Sequence, residues 1–93
     1  MRWKLFATLA EAAGDNEVDV SVDAGEATLR EAFDALLATY PDLERHVLDE
    51  DGSLQDHVRL LCDGEDPFRE RDGWETDLSG VGELALFPPV SGG

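Results

Sequence analysis

The sequence predicts an α+β fold in which a sheet of four to five strands packs on one main helix. Two observations carry that prediction. Strand-like stretches open and close the chain, with alternation in RWKLFA and EVDVSVD and a two-faced apolar run in GELALF. Between them a single long stretch, TLREAFDALLATYP, repeats its apolar residues at helical spacing behind a capping signal. One amphipathic helix has one apolar stripe, and it needs one apolar sheet face to cover. At 93 residues, 42% of them hydrophobic, the chain suffices for one domain with a modest core.

The elements follow in order. Trp3, Leu5 and Ala7 alternate with Arg2, Lys4 and Phe6, giving the first strand. TLAEAAG allows a short helical turn closed by Gly14, and GDN makes the loop into the next strand. There Val18, Val20 and Val22 point inward and Asp19, Ser21 and Asp23 outward. Thr28 stands three residues before Glu31, the reciprocal cap that satisfies two orphan amides at a helix start. Leu29, Ala32, Phe33, Leu36, Leu37 and Tyr40 then form one stripe, and Pro41 ends the helix. PDLERHVLDEDGSLQD is a polar connection from which Leu43, Val47, Leu48 and Leu54 tuck inward. HVRLLCDGED predicts a third strand turning at Asp63-Gly64. PFRE is expected as a short edge strand, since Pro67 cannot serve a central one. WETDLSGVG reads as loop. The last strand, GELALF, sets Leu84 and Leu86 on one face and Ala85 and Phe87 on the other.

Charge narrows the function classes. The chain carries 22 acidic residues against 7 basic ones, a net charge of −15. Such a surface repels nucleic acid and anionic membrane, which both require basic patches. The acids are spread between periodic apolar positions, which separates them from a disordered acidic tail. A salt-rich cytoplasm, where the Debye length falls to about 3 Å at 1 M, would screen their repulsion. A halophilic source is therefore expected. The lone Cys62 excludes an internal disulfide, and charges interrupt every apolar run, so neither signal peptide nor membrane span is expected. Cytoplasmic location and a monomer are the working expectations.

Side chains with catalytic or metal-binding chemistry are sparse. Cys62 falls on the inward parity of its strand, where a thiol is an ordinary small hydrophobe. His46 and His57 lack zinc-site spacing, and Asp49-Glu50-Asp51-Gly52 lacks the ligand series of a calcium loop and reads as a turn. No metal site and no bound cofactor are expected. Lys4, the sole lysine, is the one side-chain amine available for self-linkage; its plainer reading is a solvated strand residue beside a Glu or Asp.

The closing stretch, FPPVSGG, has a different character. Pro88 and Pro89 have fixed φ and no N–H, so they end a strand ladder and hold the exit extended. The four residues beyond Pro89 span at most about 13–14 Å. Gly92 and Gly93 carry no Cβ and pass a constriction closed to other residues, while the small Ser91 adds little obstruction. Residues 1–89 are thus expected to form the domain and residues 90–93 a flexible tail.

A hairpin, a helix and further strands packed on that helix, joined to LFATLAEAAG, ATLREAFDALLATYPDLE and LFPPVSGG, resemble a known family. It is the ubiquitin-like β-grasp family of sulfur carriers, of the ThiS and molybdopterin-synthase small-subunit (MoaD) type, and within it the haloarchaeal small archaeal modifier proteins. The resemblance covers essentially the whole chain. RLLCDG, with Arg59 and Asp63 where the family commonly has asparagines, and Ser91 in place of alanine depart from its pattern.

The resemblance implies a mixed sheet with the first and last strands side by side and the third next to the last. Strand parity then collects Phe6, Leu61 and Phe87 on the face turned away from the helix, at the root of the tail. That face, with Pro88, Pro89, Val90 and Ser91, is the expected partner-binding surface; the competing reading is a second mini-core under WETDLSGVG. The resemblance also implies that an activating enzyme uses ATP and Mg²⁺ to adenylate the Gly93 carboxylate. Gly93 then becomes a thiocarboxylate for sulfur donation, or joins lysines of target proteins by isopeptide bonds. The chain would contribute no catalytic residue. The expected partners are the activating enzyme, target proteins, and molybdopterin-synthase large subunit or tRNA-thiolation enzymes. A dedicated sulfur carrier without conjugation, and a non-covalent β-grasp binding module, are the alternatives.

Overall fold

The computed structural model describes residues 1–23 and 25–88. Strand β1 (Arg2–Leu5) buries Trp3 and Leu5 and leaves Arg2 and Lys4 on the other face, as the alternation requires. It ends where Ala7 adopts φ 51°, and helix α1 (Thr8–Ala13) follows, closed by Gly14 in the left-handed region at φ 88°. Strand β2 (Glu17–Asp19) is shorter than its alternating sequence. Val18 and Val20 are nevertheless both buried, and Val20 N donates to Met1 O across the pair at 3.0 Å.

Helix α2 (Leu29–Thr39) begins with the full capping box. Glu31 N donates to Thr28 Oγ1 at 3.4 Å, and Thr28 N donates to Glu31 Oε1 at 3.3 Å. Its stripe of Leu29, Ala32, Phe33 and Leu36 is buried, with Leu37 and Tyr40 half-buried at its margin. Pro41 then opens a 3₁₀ turn (Pro41–Leu43), and one helical turn, α3 (Glu44–Val47), completes the return. Leu43 and Val47 are buried, while Leu48 and Leu54 bridge each other half-buried, so the polar connection does tuck its four apolar residues inward.

Strand β3 (Arg59–Cys62) turns at Asp63 and Gly64, whose φ angles of 47° and 84° suit the tight turn that dipeptide signals. The expected edge strand at PFRE is instead a helical turn, α4 (Pro67–Glu70). Asp66 caps it by accepting from Phe68 N at 2.9 Å, and Pro67, unable to serve a ladder, is pre-set for the first helical position. The sheet therefore has four strands among the described residues.

The stretch after α4 is loop, with one 3₁₀ turn (Gly73–Glu75). It is fastened to the start of α2: Leu29 N donates to Thr76 O and Leu78 N to Ala27 O. Leu78 and Val81 enter the core from it, a contribution its unpatterned sequence did not announce. Strand β4 (Leu84–Phe87) completes the sheet, in the order β2-β1-β4-β3. β1 runs antiparallel to β2 and parallel to β4, and β4 runs antiparallel to β3. Trp3, Leu5, Leu60, Leu84 and Leu86 meet the α2 stripe in one core, with Trp3 and Phe33 rings 6.3 Å apart. This is the mixed β-grasp sheet on one main helix.

Candidate functional site

The register of the sheet builds the site on its open face. Lys4 lies opposite Ala85, and Ala85 opposite Leu61; Leu5 lies opposite Leu86, and Phe87 opposite Arg59. Because β1 and β4 run in parallel, Phe6 and Phe87 leave their strands side by side. Their rings stack at 4.3 Å with an interplanar angle of 6°. Offset stacking of this kind contributes about 0.5–1.5 kcal/mol beyond area burial, yet Phe6 remains 39% exposed. Leu61, Ala85 and Phe87 are half-buried.

Beside the stacked pair runs a shallow apolar groove lined by His57, Arg59, Leu61, Phe87 and Pro88. Pro88 is the last residue described at this end, so the groove lies at the root of the closing segment. Pro89, Val90, Ser91, Gly92 and Gly93 lie outside the described residues. The loop proposed as a cover for the aromatic residues is bonded to the start of α2 instead, and its Trp74 packs on Phe33 at 5.0 Å and on Phe68 at 5.2 Å.

The site differs from the rest of the chain in charge. Strands β1, β3 and β4 (RWKL, RLLC and LALF) contain no acidic residue, in a chain of 93 residues with 22 acids. They contain Arg2, Lys4 and Arg59, three of its 7 basic residues. The apolar patch is thus set in a neutral-to-basic window on an acidic body. The signal was present in the sequence as a gap in the acid distribution, and it became a surface only once the strand order joined the three segments. Acids mark its border, where Arg2 pairs with Glu17 and Lys4 with Glu83, each at 3.6 Å.

Asp63, which the sequence marks as a turn residue and as a departure from the family's asparagine, is a positioning residue. Its Oδ1 accepts from Gly82 N at 3.1 Å and Glu83 N at 3.0 Å, and its own N donates to Glu83 O at 3.0 Å. The β3 turn thereby clamps the entry of β4 and fixes the strand that ends in Phe87 and Pro88.

The remaining candidates stay apart from this surface. Cys62 is fully buried, and burial pushes its thiol up to about 11, which removes it as a nucleophile at neutral pH. Asp49 Oδ1 accepts from Asp51 N and Ser53 N, with Gly52 at φ 81°, so this acidic run is a turn. Among the described residues no three His, Cys, Asp or Glu side chains converge as a metal site, and no helix is long and apolar enough to cross a membrane.

Comparison with known proteins agrees with this geometry. The model of the ThiS family matches residues 3–93. Small archaeal modifier protein 1 of Haloferax volcanii is 50% identical over 93 residues, covering 100% of both chains. Small archaeal modifier protein 3 of the same organism is 33% identical over 90 residues, covering 97% of this chain and 95% of the relative. The crystal structure of SAMP1 from Haloferax volcanii superposes with a TM-score of 0.84 at 48% identity, covering 100% of this chain and 98% of that one.

Proposed function

The chain belongs to the ThiS family, and on that premise we propose that the carboxylate of Gly93 is its reacting group. As a small ubiquitin-like carrier and modifier protein it is worked upon by enzymes and is not itself a catalyst. A carboxylate is a poor electrophile because oxide is a poor leaving group. An adenylating enzyme with ATP and Mg²⁺ removes that obstacle: a Gly93 oxygen attacks the α-phosphorus, pyrophosphate leaves, and the acyl-adenylate carries AMP as a good leaving group. A lysine amine of a target protein then displaces AMP to give an isopeptide bond. A sulfur nucleophile at the same carbon leads to a thiocarboxylate for transfer to molybdopterin or tRNA. The two routes share every step up to the adenylate.

The observation that carries this reading is the stacked pair of exposed Phe6 and half-buried Phe87, with half-buried Leu61, where the chain leaves β4. A partly exposed aromatic pair in an acid-poor window offers the activating enzyme a handle beside the reacting end. The similarity to small archaeal modifier protein 1 supports conjugation, and membership of the ThiS family supports sulfur carriage. ATP–pyrophosphate exchange with the adenylating enzyme from the source cells tests the proposal. The intact chain should support exchange, and deletion of Gly92 and Gly93 should abolish it. Phe87→Ala should raise the half-saturating concentration at least tenfold while leaving the circular dichroism unchanged. An intact chain that never exchanges pyrophosphate would refute the reading. Mass spectrometry of the protein and its conjugates then separates the thiocarboxylate from the isopeptide.

A further inference from the structure

The strand order leaves the sheet two edges, β2 and β3, and they differ. On β3 the outward backbone groups are largely taken within the chain. Cys62 N donates to Glu65 O at 2.8 Å, Glu65 N to Cys62 O at 2.9 Å, and Val58 N to Gln55 O at 3.1 Å. On β2 they are not. Met1 N donates to Val20 O at 2.7 Å and Val20 N to Met1 O at 3.0 Å, so Val20 bonds toward the first strand. Its neighbours Asp19 and Ser21 therefore turn their N–H and C=O groups away from that strand. Among the described residues no hydrogen bond takes up those groups. The alternation of EVDVSVD also outlasts its pairing: the ladder with β1 stops at Asp19, while the alternation runs on to Asp23. Sheet edges are commonly blunted by Lys, Pro or a bulge, and this segment has neither Lys nor Pro.

The surroundings of this edge select what can pair with it. Every charged residue between Lys4 and Arg30 is acidic. Glu17 and Asp19 stand on the sheet face turned from α2, 50% and 78% exposed. Their contacts with Arg2 at 3.6 Å and the Met1 ammonium at 3.1 Å leave both carboxylates open to a further cation. On the helix side, Val22 and Ala27 floor a shallow groove rimmed by Asp23, Glu26 and Glu31. We infer that the outer edge of β2 is a docking site for a basic strand of a partner protein, which adds a fifth strand beside Asp19 and Ser21. Main-chain hydrogen bonds supply the affinity and alternate side chains the specificity. On one side of the added strand Lys or Arg meets Glu17 and Asp19; on the other, branched apolar side chains lie over Val22 and Ala27. An acidic strand is repelled, and so is a second copy of this chain, whose own Glu17 and Asp19 would face their counterparts. β1 lies between this edge and β4, so a strand bound here leaves the Phe6–Phe87 pair uncovered. The docking site is thus independent of the proposed activation of Gly93.

Two fluorescein-labelled peptides of equal composition test this on the full chain in about 1 M KCl, where a Debye length of about 3 Å screens diffuse attraction. In one peptide Lys and Val alternate over about eight residues; in the other the same lysines all precede the valines. By fluorescence anisotropy the alternating peptide should bind at least tenfold more tightly. At saturation with it, amide hydrogen exchange of Asp19 and Ser21, read by NMR, should slow at least tenfold, while that of Leu60 on the β3 edge stays unchanged. Ser21→Pro removes an outward donor and no bond to β1, and should weaken the alternating peptide at least tenfold. Equal affinity for the two peptides, no binding of either, or exchange at Asp19 and Ser21 unaltered by the bound peptide would each overturn the docking site. Slowed exchange at Leu60 in their place would overturn it as well. None of these outcomes bears on pyrophosphate exchange, so the reading of Gly93 stands or falls separately.

Discussion

Cys62 shows how much a single position states through parity and burial. Its place in RLLC set it inward, and the structure leaves it no exposure. Burial raises its pKa to about 11, with Arg71 opposing the shift and Asp63 and Glu65 adding to it. In the pH range between an ordinary thiol and that value, the unfolded chain loses the proton while the native state retains it. The native state then binds more protons, so stability falls as pH rises. Urea melts should show full stability below about pH 8 and a loss of roughly 1–3 kcal/mol approaching pH 11. Cys62→Ala should remove that slope while lowering stability at neutral pH. The Phe6–Phe87 contact was legible only in part: parity predicted a shared face, while the 4.3 Å stack depends on where each strand stops. The φ of 51° at Ala7, which stops β1, has no glycine to announce it.

Among the elements, α2 was readable to its first residue because its start signal is local and chemically redundant. Thr28 and Glu31 each satisfy an orphan amide of the other's backbone, and the apolar stripe begins at once. Thr28→Ala breaks the box and should cost about 1 kcal/mol by chemical denaturation, within the usual 0.5–2 kcal/mol for such caps. The cost should be read without change in the spectrum of the native state. PFRE shows the opposite case. Four residues are too few for a period to emerge, and Pro67 suits an edge strand or a helix start equally well. The Asp66 carboxylate on Phe68 N decides for the helix. Asp77 is a third kind of element device: hydrogen bonds from Ser79 hold its carboxyl below the usual range and shape the loop that delivers Leu78 to the core.

At the scale of the molecule, the strand order β2-β1-β4-β3 is what alternation alone could not supply. Each strand announced which side chains face inward, but nothing local says that the first strand lies beside the last. That came from the likeness of the whole sequence to a family, and the acid-free window followed from it. The acids elsewhere govern stability through the solvent. With 22 carboxyl-bearing side chains and a net charge of −15, self-repulsion acts over about 10 Å at 0.1 M salt and about 3 Å at 1 M. The midpoint of thermal unfolding should therefore climb by ten degrees or more from 0.1 to 2 M KCl. A midpoint independent of KCl would show that the charge is accommodated within the fold itself.

The parallel pairing of β1 with β4 also bears on biosynthesis. A ribosome releases β1 long before its parallel partner β4, so a nascent chain holds β1 with one edge unpaired until β4 emerges and inserts beside it. Phe6 and Phe87, from opposite ends of the sequence, stack only after that insertion. An enzyme that grips the stacked rings would thereby proofread its substrate, passing over truncated or misfolded copies before any nucleotide is spent on them.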